Sequence, residues 1–123
     1  MDSINAIEFA QEWEAAWNRR DVEAVLQHFH EDAVFTSPLA KRIGVTADGV
    51  LKGKDAIRNY WMLALAQGQS LETRFQVTRI YQGVNTLVLE FDIASKNQKV
   101  NRAEVLTFKN GLVIEGHGTF AAS

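Results

Sequence analysis

The sequence predicts an α+β domain in which three helices are followed by a strongly curved sheet. Three observations carry this. In the first half, apolar residues recur at three- and four-residue spacing behind capping residues, the mark of amphipathic helices. The second half alternates with period two over four successive runs. Short polar turns separate those runs, and Asn110-Gly111 is the strongest hairpin signal among them.

The elements follow in order. A first helix is expected from near Ser3, capped by Asp2 or Ser3, to about Asn18. Ala6, Phe9, Ala10, Trp13, Ala16 and Trp17 form its apolar stripe. Asp21 caps a second helix carrying Val22, Val25, Leu26 and Phe29. A polar break at His30-Glu31-Asp32 leads into a strand, Ala33 to Thr36, which stops at Ser37-Pro38 because proline cannot donate to a ladder. Residues 37–53 read as a long loop containing Lys41, Arg42 and Asp48, and its 38–52 stretch is a candidate lid. A third helix runs from Lys54 or Asp55 to about Gln67, with Ile57, Tyr60, Trp61 and Ala64 on its apolar face and Gly68 just beyond. Leu71 to Tyr81, Thr86 to Ser95, Lys99 to Lys109 and Leu112 to Phe120 read as four antiparallel strands.

With 123 residues, 46% of them hydrophobic, the chain suits one domain with its own core, spanning 1–123. Thirteen basic against fifteen acidic residues give a net charge of −2, which argues against a nucleic-acid partner. Without cysteine there is no disulfide, thiolate or zinc–sulfur chemistry. The acidic, amphipathic start does not resemble a signal peptide, and no apolar run reaches the roughly 18–20 residues of a membrane span, so a cytoplasmic protein without membrane association is expected.

The spacing Trp17-x-x-x-Asp21-Val-Glu-Ala-Val, then His28-Phe29-x-x-Asp32-Ala-Val-Phe, then Gly53-Lys-Asp-Ala-Ile57, with a last hairpin through Asn110-Gly111, resembles the NTF2-like superfamily. The likeness is strongest to its SnoaL-like and ketosteroid-isomerase-like branch and covers essentially the whole chain. It implies a cone in which three helices pack on a curved, mainly antiparallel sheet enclosing a pocket, and a homodimer formed through the outer sheet face. Such a scaffold hosts isomerases, cyclases, dehydratases, hydrolases and non-catalytic binders, so it does not fix an activity. Carrying the ketosteroid isomerase site over by resemblance places the base on Ser37, the oxyanion tyrosine on Trp13 and the oxyanion acid on Glu104. Serine lacks useful basicity and an indole cannot exchange protons, so only the third role survives and steroid isomerisation is not expected.

Glu104 is therefore the candidate catalytic residue. Its strand parity groups it with Leu106 and Phe108; if that face is concave, a buried carboxyl with a raised pKa follows. The alternative is a solvated Glu104, or one paired with Arg102 or Arg79. Trp13, Trp17, Phe35, Ser37, Tyr60, Trp61, Leu106 and Phe120 are the candidate pocket residues, suited to a small hydrophobic metabolite, with core packing as the competing explanation for most of the aromatics. His28 and His30 point apart on a helix. The resemblance puts Gly116, Gly118 and Phe120 inside and His117 outside, although a one-residue slip reverses this. Asp32, Glu104 and His117 carry no metal spacing, and neither a metal nor a cofactor is implied. Lys41 and Arg42, with Asp48, are candidates to gate the cavity or meet an anionic group on a ligand, with simple solvation of exposed loop charges as the competing explanation. Two functions follow: proton-transfer chemistry of the isomerase or dehydratase kind, or a non-catalytic ligand-binding or protein-interaction module.

Overall fold

The computed structural model describes residues 5–68 and 73–122. Its elements, in chain order, are α1 (Ala6–Asn18), α2 (Val22–Leu26), β1 (Phe29–Thr36), α3 (Pro38–Arg42), β2 (Val50–Lys52), α4 (Lys54–Gly68), β3 (Arg74–Gly83), β4 (Thr86–Ala94), β5 (Lys99–Lys109) and β6 (Leu112–Phe120). The six strands form one sheet in the order β2-β1-β6-β5-β4-β3, antiparallel except for the β1–β6 pair. This is the expected α+β arrangement, with helices covering one face of a mainly antiparallel sheet. Register shifts interrupt the ladders between Phe29 and Val34, Val77 and Arg79, and Thr107 and Phe108. An extra residue on one strand bends it and raises its twist, so these irregularities give the sheet its curvature.

Several boundaries differ from expectation. Helix α1 begins at Ala6, where Asn5 Oδ1 accepts from the Glu8 N–H at 3.0 Å; the expected caps, Asp2 and Ser3, lie outside the described residues. Phe29 belongs to β1 instead of α2, and His30-Glu31-Asp32 is the irregular first part of that strand instead of a break. Leu71, expected at the head of β3, also lies outside the described residues. The long loop after Ser37 is the main difference, because it contains the short helix α3 and the strand β2; among the described residues α3 is additional to the three expected helices. Ser37 Oγ accepts from the Leu39 and Ala40 N–H groups at 3.2 and 3.5 Å, and Pro38 occupies the first turn, where a missing N–H costs nothing. Asp48 Oδ1 accepts from Val50 N–H at 3.0 Å and starts β2, whose Leu51 is buried against the β1 edge.

The core lies between the helices and the concave sheet face. Phe9, Ala10, Trp13, Ala16 and Trp17 of α1 and Ile57, Tyr60 and Trp61 of α4 meet Leu87, Leu89, Phe91, Leu106, Phe108 and Phe35 from the strands. Helix α1 also closes the edge of β3, which would otherwise present unpaired amides. Asn18 exchanges two hydrogen bonds with the Phe75 backbone (2.8 and 3.0 Å), and Glu14 Oε2 accepts from Val77 N–H at 2.7 Å. These contacts fix the register of Trp13 and Trp17 over the sheet. Among the described residues no helix is long and apolar enough to cross a membrane.

Candidate functional site

Among the described residues the concave face carries one deep carboxyl. Glu104 sits mid-strand on β5, opposite Leu89 of β4 and Gly118 of β6. Residues facing each other across a ladder share a face, so Glu104 points inward with Leu89, Leu106 and Phe91. It is 7% exposed, and its Oε2 has no hydrogen-bond partner. Burial pushes the carboxyl up to about 7, and a hydrogen bond from the Trp13 side chain pulls in the opposite direction. Neither Arg102 nor Arg79 forms an ion pair with it, so the solvated and paired alternatives both give way to burial.

Around that carboxyl lies a cavity of about 150 Å³, lined by Trp13, Trp17, Phe35, Ser37, Tyr60 and Trp61 and extending past Phe91 to Arg102 and Phe120. A cavity of this size in a protein interior admits about one aromatic ring. Its walls are held by edge-to-face aromatic contacts, with Trp13 and Phe91 centroids 4.7 Å apart, Trp17 and Trp61 5.1 Å, and Phe35 and Trp61 5.4 Å. Seven of the eight expected pocket residues lie on this wall. Leu106 does not; it is fully buried opposite Gly116 on the β5–β6 ladder, where it packs the core.

Trp17, Ser37 and Tyr60 bring further polar groups to the wall. Trp17 Nε1–H is buried without a partner. Ser37 Oγ and Tyr60 Oη are 2.7 Å apart, and both residues are buried. Either hydroxyl can donate in this pair; when Ser37 donates, the phenolic O–H is left to donate elsewhere. Burial raises the Tyr60 pKa, opposed by the Ser37 hydrogen bond. Ser37 is held by its capping role and by Gly49, whose left-handed backbone (φ 76°) brings its carbonyl to the Ser37 N–H at 2.9 Å. A Cβ at Gly49 would stand 2.8 Å from the Ser37 carbonyl oxygen. The pairing of Ser37 with Tyr60 had no signal in the sequence, because it joins a strand end to a helix 23 residues away.

The histidines and the remaining acidic candidate lie elsewhere. His28 is in the turn after α2, with Nε2 3.2 Å from Glu12, and His30 is on β1 accepting from Asp32 N–H at 3.1 Å. His117 faces the outer side of the sheet. Its Nδ1 is 2.6 Å from Thr36 Oγ1 and its Nε2 is 2.7 Å from Glu115. Asp32 is exposed, so Asp32, Glu104 and His117 do not converge, and among the described residues no cluster of His, Asp and Glu is arranged to hold a metal.

Residues 10–116 match the model of the SnoaL-like domain. No curated protein matches the chain. Among solved structures, a SnoaL-like protein of unknown function from Burkholderia thailandensis is 26% identical, with 95% of each chain covered and a TM-score of 0.81. An NTF2-like protein of unknown function from Burkholderia pseudomallei is 19% identical (97% of this chain, 92% of that one, TM-score 0.76). TerC, crystallised with polyporic acid, is 18% identical (94% and 91%, TM-score 0.73), a likeness of fold alone. With the family match running through the helices, the sheet and the cavity they enclose, the chain belongs to the SnoaL-like domain family of NTF2-like proteins.

Proposed function

We propose that the cavity binds a small, mainly apolar metabolite carrying a carbonyl or hydroxyl oxygen, and that Glu104 moves a proton on it, as in isomerase or dehydratase chemistry. The observation that carries this reading is the unpartnered Oε2 of a buried carboxyl whose proton affinity lies near neutral pH. A carboxyl with a pKa near the working pH serves as either acid or base. The Trp17 Nε1–H supplies a donor for a ligand oxygen, with the Tyr60 hydroxyl beside it, and a buried N–H left without a partner costs about 1–3 kcal/mol. The test is deuterium exchange into 1-phenylpropan-2-one, an enolisable aryl ketone of suitable size, followed by proton NMR. Exchange above the buffer rate is expected with the wild-type protein. Glu104→Gln, which keeps the shape and removes the titrating proton, should lower it by about 10²-fold or more while ligand binding persists. Equal exchange by Glu104→Gln would refute the role of Glu104.

A second reading, a non-catalytic ligand-binding or protein-interaction module, is favoured by Ser37. The resemblance assigns the base to this position, and its hydroxyl is committed to capping α3 and to Tyr60. That reading is supported if wild-type protein binds the ketone yet leaves its exchange at the buffer rate.

A further inference from the structure

At the mouth of the cavity two guanidinium groups share one ring. The Arg102 guanidinium carbon lies 3.9 Å from the Phe120 ring centroid and that of Arg42 lies 4.9 Å from it. Arg102 reaches Phe120 directly across the β5–β6 ladder, and Arg42 comes from the last turn of α3. Among the described residues neither arginine has a carboxylate within ion-pair distance, although the chain carries more acidic than basic side chains. Arg102 is half-buried, and its pKa is lowered by that burial and by the Arg42 charge beside it. Arg42 is exposed, each guanidinium lies over the same ring, and an anion near both would relieve the repulsion that Arg102 feels from Arg42. Each cation is also attracted to the face of that ring, which holds both guanidinium groups at the opening.

Building on the proposed ligand cavity, we infer that its ligand is a small carboxylate: an apolar ring seated among Trp13, Trp17 and Trp61, with its carboxylate held at the mouth by Arg42 and Arg102. Planar guanidinium groups suit a carboxylate because their N–H donors match its two oxygens. Arg102 and Glu104 are same-face neighbours on β5, and two steps along a strand span roughly 6.6 Å. The anionic end and the atom presented to Glu104 therefore stand about one ring apart. This spacing keeps the ligand charge away from Glu104, whose carboxyl an adjacent anion would otherwise hold protonated.

Calorimetric titration with phenylacetate and with its neutral counterpart phenylacetamide tests the inference. Wild-type protein is expected to bind phenylacetate at least about ten-fold more tightly at low salt, with the advantage shrinking as salt is raised. Arg42→Met combined with Arg102→Met should abolish the preference while phenylacetamide still binds, which also reports that the variant is folded. Arg102→Lys, which keeps the charge and loses the fork, should retain part of the preference, and it decides the matter if the double variant does not fold. Equal affinity for the two compounds in wild-type protein, or a preference surviving in the folded double variant or unchanged by Arg102→Lys, overturns the carboxylate inference and leaves the cavity reading standing. Binding of neither compound at millimolar concentration overturns both.

Discussion

Ionising Glu104 places a charge among tryptophan and phenylalanine rings with one indole to bond it, and desolvation outweighs that hydrogen bond. The consequence is a pH-dependent stability whose sign is fixed. A carboxyl raised from 4.5 to about 7 in the folded state binds its proton more tightly than in the unfolded chain. Its contribution is fully present below pH 4.5 and declines as pH rises towards about 7, by roughly 3 kcal/mol in all. Glu104→Gln should remove this slope, so that urea unfolding at pH 8 finds the variant more stable than wild type relative to their difference at pH 5. Parallel stability profiles for the two proteins would show that Glu104 titrates normally. The sequence alone left this open, because alternation groups Glu104 with Leu106 and Phe108 without saying which face is concave. Only packing against Trp13 and the strand order decides that.

At the scale of elements, long periodic segments were legible and short ones were not. The alternation through Leu87, Leu89 and Phe91, the α1 stripe and the Asn110-Gly111 turn, with both residues at positive φ, are repeated local signals. The five residues of α3 and the three of β2 are shorter than any period that could announce them, although Ser37-Pro38 is a helix start when read as cap and first turn. Contacts between distant elements left no trace either, including Asn18 on Phe75 and Arg42 and Arg102 on Phe120. The glycines of β6 belong to this scale. A Cβ at Gly116 would stand 2.8 Å from the Phe35 ring, which is itself wedged against Trp61, whereas one at Gly118 would meet nothing closer than 3.6 Å. Gly116→Ala should therefore destabilise the fold by about 1–3 kcal/mol in urea unfolding, and Gly118→Ala by less. Equal losses would contradict the β1–β6 packing described here.

At the scale of the whole molecule, α1, α4 and the curved sheet together bury one carboxyl at the wall of a cavity. Trp13 comes from α1, Tyr60 and Trp61 from α4, Leu89 and Phe91 from β4, and Gly118 from β6 leaves the space above Glu104 open. The Glu104 proton affinity therefore reports the integrity of the entire enclosure. It is measured most directly by following the Glu104 side-chain carboxyl carbon by NMR against pH in uniformly labelled protein, assigned through its loss in Glu104→Gln. The expected midpoint lies near 7, moving higher in Trp13→Phe, which keeps a ring but removes the indole N–H. A midpoint near 4.5, unmoved by Trp13→Phe, would mean that the carboxyl is solvated, and would contradict both its burial and the proton-transfer role built on it.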